Sequence, residues 1–148
     1  MSVENNLKAV LELTGLPLDQ QRERLEMGLV ELGLTQIRNS KGYQLSGGES
    51  RRVEIARALV MSPSVILLDE PFAGVDPIAV LDIQEVIMQI RGKSIGILIT
   101  DHNVRETLGI TDRAYIVSEG KIVVEGGPDE LVHNEIARRI YLGEQFTL

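Results

Sequence analysis

Apolar residues recur at helical spacing through the first third of the chain. Val3, Leu7, Val10 and Leu11 fall at i, i+4, i+7 and i+8, which predicts an amphipathic helix over residues 2–13, ended by Gly15 and Pro17. Leu18, Leu25, Leu29 and Leu32 keep the period and predict a second helix, with Gly33 where a left-handed C-terminal cap belongs. Asn39-Ser40-Lys41-Gly42 is rich in turn formers and predicts a loose connection. At Ser46 the pattern changes. Ser46-x-x-Glu49 is a capping box, in which the hydroxyl takes the N3 amide and the glutamate reaches back to the Ser46 amide. It predicts a helix over residues 46–61 that buries Val53, Ala56, Leu59 and Val60 and stops at Ser62-Pro63.

From Val65 the apolar positions become continuous. Val65-Ile66-Leu67-Leu68, after a turn, reads as a strand buried on both faces, as in parallel sheets. Asp76-Pro77 supplies an N-cap and an N1 proline for a helix burying Val80, Ile83, Ile87 and Ile90 and ended by Gly92. Residues 95–100 form the next predicted strand, and Asn103-x-x-Glu106 can cap a short helix. Residues 114–117 and 121–125 read as an antiparallel hairpin about Ser118-Glu119-Gly120, before two short helices over residues 128–132 and 134–142. The order strand, helix, strand, helix, strand predicts an α/β fold with right-handed crossovers. Residues 1–45 form an all-helical domain ahead of it, and 46–148 the α/β part.

Composition narrows the partners more than the fold. A length of 148 residues suits one domain or two small lobes. A formal charge of −7 and 3% aromatic residues argue against a nucleic-acid partner and against docking on an anionic membrane by charge alone. With no cysteine there is no disulfide or thiolate metal site. No apolar run approaches the ~20 residues that span a bilayer, so any membrane connection is expected to go through a partner.

Four places carry candidate chemistry. At Ser46-Gly47-Gly48 a helix N-terminus offers unpaired amides and a positive dipole end, and glycines allow a phosphate to approach; alone, the triplet is equally a capped helix after a turn. Asp69-Glu70 ends an apolar strand, at the rim where α/β proteins bind ligands. An aspartate there can hold Mg²⁺ through water, and the glutamate can orient or deprotonate an attacking water; two acids can also simply end a strand in solvent. Asp76 is a strong helix start in its own right. His102 follows a strand and can bond a phosphate oxygen, although a lone histidine is more often a polar surface residue. His133 reads as surface. Gly92-Lys93-Ser94 imitates the end of a P-loop, but Ile87 stands where the upstream glycine is required, and the tripeptide leads into a strand instead of a helix; Lys93 reads as a solvated turn residue.

Leu45-Ser46-Gly47-Gly48-Glu49, followed by Ile66-Leu67-Leu68-Asp69-Glu70-Pro71, Asp76 and His102, resembles the nucleotide-binding subunits of ATP-binding cassette (ABC) transporters in order and spacing. The resemblance implies a P-loop NTPase fold of the ABC type, a RecA-like parallel sheet with a helical subdomain. It implies that Leu45 to Glu49 is the signature motif, contacting the γ-phosphate of ATP held by the opposite subunit. Asp69 is then the Walker B aspartate with Mg²⁺ through water, Glu70 the catalytic glutamate, Asp76 the D-loop aspartate and His102 the switch histidine. ATP and Mg²⁺ are the implied ligands, acting in the complete subunit. A homodimer of ATPase subunits and integral-membrane permease subunits are the implied partners, and the inner face of the cell inner membrane is the implied location, reached through the permease. Residues 69–77, 100–107 and Tyr141-Leu142-Gly143-Glu144 look most like the ATPase subunit of lipopolysaccharide exporters, with branched-chain amino-acid importers as the alternative.

The resemblance is to the C-terminal part of such a domain, without the P-loop. From this follow the expectations that the chain alone does not hydrolyse ATP and that an apolar sheet edge leads to self-association. Two readings of other classes stand beside it: a half of a DNA-repair or chromosome ATPase, which the broken helices before residue 45 disfavour, and a non-catalytic fragment.

Overall fold

The computed structural model describes residues 1–143; Glu144, the last residue of the Tyr141-to-Glu144 stretch, lies outside the described residues. Helix α1 (Val3–Glu12) starts on Ser2, whose Oγ accepts from the Asn5 amide at 3.3 Å, and buries Val3, Leu7 and Leu11. The amides of Val3 and Glu4 donate to the carbonyls of Ser40 and Arg38, so the stretch expected to be loose is tied to the start of α1. Arg38 adds ion pairs to Glu4 at 3.1 Å and Glu26 at 2.8 Å. Helix α2 (Leu18–Glu31) ends as the sequence predicts: Gly33 has φ +63°, its amide reaches the Val30 carbonyl, and the Leu34 amide reaches that of Leu29. Those two bonds are a Schellman motif, closed by the fully buried Leu29 and Leu34. Leu18, counted in the buried stripe, is exposed in the first turn. Two 3-10 turns, Thr35–Ile37 and Gly42–Gln44, follow α2, and Ser2 forms an isolated antiparallel bridge with Lys41.

Helix α3 (Gly47–Leu59) buries Val53, Ile55 and Ala56, with Val60 just beyond; Ile55 takes the place expected of Leu59, which is half-buried. Strand β1 (Val65–Asp69), helix α4 (Pro77–Arg91) and strand β2 (Gly96–Thr100) make a β-α-β unit, with parallel pairing from Val65 beside Gly96 to Asp69 beside Thr100. Helix α4 buries Val80, Ile83, Val86, Ile87 and Ile90. Packing joins α1, α2, α3, β1, α4 and β2 into one unit, Met1–Thr100.

The expectation that β1 is buried on both faces is corrected. Ile66 is 4% exposed, but Val65 is 57%, Leu67 72% and Leu98 of β2 55%. Period-2 alternation puts Ile66, Leu68, Ile97 and Ile99 on one face and Val65, Leu67 and Leu98 on the other, with Asp69 and Thr100 at the end of that second face. A run of apolar residues records what a strand can bury; among the described residues, only one face of this sheet is covered.

The second unit begins at Asp101. It holds α5 (Val104–Leu108), the antiparallel strands β3 (Ala114–Ser118) and β4 (Lys121–Gly126), α6 (Pro128–His133), α7 (Glu135–Ala137) and a π-helical turn at Arg138–Leu142. Its core is Leu108, Ile116, Val124, Leu131, Val132 and Ala137. The hairpin turns at Glu119 (φ +50°) and Gly120 (φ +75°), the two positive-φ positions of a type I′ turn. Two expectations fail here. β3 pairs with β4 in a sheet separate from β1–β2, so it is not a third strand of the parallel sheet among the described residues. Asn103 makes no side-chain cap; instead Asp101 Oδ1 accepts from the Asn103 amide at 2.8 Å and sets the start of α5.

Candidate functional site

The first centre is the N-terminus of α3. Both bonds of the capping box form: the Glu49 amide donates to Ser46 Oγ at 3.3 Å, and the Ser46 amide donates to Glu49 Oε2 at 2.8 Å. The Ser46 amide, helped by its hydroxyl and by the charge of Arg52, holds the Glu49 carboxyl below the usual carboxylate range. Leu45, extended at ψ 142°, leads into the cap from the turn before it. Helix dipole and free N-terminal amides give this end its affinity for anions. Gly48 has a further reason to lack a side chain, because a Cβ there would stand 2.7 Å from the Ala79 Cβ of α4. At Gly47 the nearest atom to a Cβ is the Gly74 carbonyl oxygen at 3.7 Å. A space bounded by backbone is what a phosphate oxygen needs, so the residues present fit that ligand.

The second centre is the carboxyl end of the β1–β2 sheet. Thr100 Oγ1 donates to Asp69 Oδ1 at 2.5 Å, and the Thr100 carbonyl accepts from the Glu70 amide at 2.7 Å. One residue of β2 therefore fixes the last residue of β1 and the residue after it. Glu70 has φ +45°, a left-handed backbone rarely taken by a residue with a side chain. Its carbonyl accepts from Arg51 Nη2 at 3.1 Å and from the Ala73 amide at 3.2 Å. Pro71 and Phe72, both almost fully buried, anchor the turn that follows, and Gly74 (φ +68°) carries it to Asp76. Asp76 Oδ1 accepts from the Ala79 amide at 3.0 Å, so the N-cap role read from the sequence is realised. Among the described residues no three His, Cys, Asp or Glu side chains are grouped to hold a metal. Asp69 with Thr100 offers a small oxygen set, which suits Mg²⁺ held mainly by substrate phosphates and water.

His102, in the second unit, has a side chain 64% exposed with Nδ1 3.7 Å from Asp101 Oδ1, whose own side chain is fully buried. His133 is exposed in the last turn of α6, its Nδ1 2.7 Å from the Asp129 carbonyl. Gly92-Lys93-Ser94 joins the end of α4 to β2, and Lys93 is the exposed turn residue expected, with its ammonium 2.6 Å from Glu31. Arg51 and Thr100 were not singled out from the sequence. Arg51 carries no local signal, whereas Thr100 could have been found by counting β1 and β2 into register from their carboxyl ends.

A family model described as ABC transporter matches residues 1–73. The lipopolysaccharide export system ATP-binding protein LptB of Acidithiobacillus ferridurans is 57% identical over all 148 residues of this chain, which cover 61% of that protein. The protein of the same name from Escherichia coli (strain K12) is 52% identical, again over the whole chain and 62% of its own length. The chain thus spans about three-fifths of the curated relatives it matches. Among solved structures, cbiO1 from Clostridium perfringens, part of the ABC transporter complex cbiONQ, superposes with a TM-score of 0.83 at 30% identity, over 97% of this chain and 58% of that one. A nucleotide-free ATP-binding cassette from an ABC transporter gives 0.81 at 30% identity, over 97% and 64%.

Proposed function

We propose, from the premise that this chain belongs to the ATP-binding cassette family, that it is the signature-bearing part of a transport ATPase subunit serving lipopolysaccharide export. The observation that carries the reading is the pair of acids at the carboxyl end of β1, locked to Thr100 at the carboxyl end of β2 in one parallel rim. In the complete subunit, Asp69 would hold Mg²⁺ through water, and that ion would supply neutralisation of phosphate charge. Glu70 orients the attacking water and takes its proton. Ser46, Gly47 and Gly48 present the α3 amides to the γ-phosphate of ATP on the opposing subunit, with Leu45 and Glu49 shaping that end. Asp76 joins the two sites of the dimer, and His102 contacts phosphate. Residues 1–45 are the helical lobe turned to the permease, and 46–148 the core part. No helix among the described residues is long and apolar enough to cross a membrane, which suits a subunit held at the inner face through its permease.

The 148 residues by themselves contain no P-loop pattern, so we expect no MgATP turnover from them alone. We also expect them to self-associate through the uncovered face of Val65, Leu67 and Leu98, and a clean monomer in sedimentation would remove that part of the proposal. The principal test is ATP turnover by the permease-bound, subunit-length protein. E70Q is expected to lower kcat by ~10²–10⁴-fold. Turnover unchanged in E70Q would overturn the assignment of Glu70, and turnover indifferent to lipopolysaccharide would overturn the substrate class.

A further inference from the structure

We infer that Arg51 is a positioning residue for Glu70, linking the helix that begins at Ser46 to the carboxylate that would act as general base. This rests on the functional reading above. Arg51 sits in the second turn of α3 and is about three-quarters buried. Its guanidinium is divided between two partners, Nη1 to Glu54 Oε2 at 2.6 Å on the same helix and Nη2 to the Glu70 carbonyl at 3.1 Å. The planar fork makes the two bonds interdependent: with one arm held by α3, the other points in a fixed direction. What it meets there is the carbonyl of a residue at φ +45°.

A left-handed conformation in a residue with a side chain is strained and persists only where the surroundings over-determine it. Three bonds to the Glu70 peptide come from three different elements. The Thr100 carbonyl holds its amide, while Arg51 and the Ala73 amide hold its carbonyl. Thr100 and Ala73 act from β2 and from the turn itself. Arg51 acts from α3, the helix whose N-terminal amides would meet the phosphate of the opposing subunit. A shift of α3 on phosphate binding therefore pulls on the Glu70 peptide directly, and the aim of its side chain follows the backbone. The D-loop route through Asp76 is separate, because Asp76 caps α4 and makes its bond to Ala79.

The deciding experiment needs no nucleotide. In the isotope-labelled 148-residue chain, R51A is expected to raise amide hydrogen exchange at Glu70 by about tenfold or more and to change the φ-dependent coupling constant of Glu70. E54A, which frees one arm but leaves the other, is expected to move both less, and R51K to restore part of the protection. Should R51A fail to fold, R51M keeps the aliphatic stem and answers the same question. Glu70 exchange and coupling unchanged in a folded Arg51 variant would overturn the inference, whatever the chain does with ATP. In the subunit-length protein, R51A is expected to lower kcat by about tenfold to a hundredfold with KM for ATP retained, and R51K to recover part of it. Loss of KM with kcat intact would instead make Arg51 a binding residue. If E70Q leaves turnover unchanged while R51A still frees the Glu70 backbone, the functional reading fails and the positioning contact stands.

Discussion

The start of α3 and the rim of the β1–β2 sheet are both candidate phosphate-handling ends, yet they are built in opposite ways. At α3 every determining bond lies within four residues: Ser46 with Glu49, and Ser50 back to Ser46. At the rim, Asp69 bonds to Thr100, and Glu70 bonds to Thr100 and Arg51 as well as to the nearby Ala73 amide; the Asp69–Thr100 and Glu70–Arg51 partners stand 31 and 19 positions apart. A locally built end is rigid as soon as its helix forms, whereas a rim tied by distant residues is only as well placed as the packing behind it. That makes the rim the part that can respond to movement elsewhere.

The comparison can be broken most forcefully through the buried anchor of the rim. Phe72 is 2% exposed, and F72A is expected to cost about 3–5 kcal/mol in urea unfolding. Amide exchange should rise at Glu70 and Ala73 well before it rises at Glu49. Equal loosening at both ends would deny that they are built independently. G48A tests where the local end meets tertiary packing, since its Cβ would stand 2.7 Å from that of Ala79. Overpacking against the Ala79 methyl is expected to cost about 1–3 kcal/mol, and A79G should recover part of it, as a double-mutant cycle in urea would measure.

Smaller changes sharpen the contrast. S46A removes the cap and is expected to cost about 1 kcal/mol, with exchange rising at Glu49 and leaving Glu70 unmoved. T100V deletes the hydroxyl bonded to Asp69 but keeps the carbonyl that holds Glu70. About 0.5–1.5 kcal/mol is expected, with the Asp69 carboxyl carbon shifted in NMR and the Glu70 amide still protected. Loss of protection at Glu70 would mean that strand pairing, and not that single carbonyl, sets its backbone.

The weakest expected effect is the pH dependence of the capped end. Glu49 is held below the usual carboxylate range by the Ser46 amide, and Glu4 is lowered likewise, first by its bond from Lys8 and then by Arg38. For a carboxyl depressed in the folded state, the unfolded chain binds more protons between the two values, so stability rises with pH there. The contribution is complete above about pH 4.3 and is lost as pH falls through the folded value. E49Q should flatten the acid limb of urea midpoints measured from about pH 7 to about pH 3, and an unchanged limb would show that the capping carboxylate adds nothing. Both groups lie near the surface, so the change is expected to be slight.

The sequence by itself determined the features whose causes are local. The capping box at Ser46, the Asp76-Pro77 helix start, the Gly33 cap and the Glu119-Gly120 turn are all set by the geometry of a few adjacent residues, and all are legible before folding is considered. The order of helices and strands followed from the same short-range periodicities. Tertiary structure alone decided which face of β1 is covered, because a continuous apolar run carries no record of its neighbours. It also decided that Leu18 is left in solvent and that Lys93 meets Glu31. Above all it decided which distant groups hold the backbone of Glu70. The Ala73 amide bonds its carbonyl from within the turn, but Arg51 and Thr100 reach it only because packing brings α3 and β2 around the end of β1.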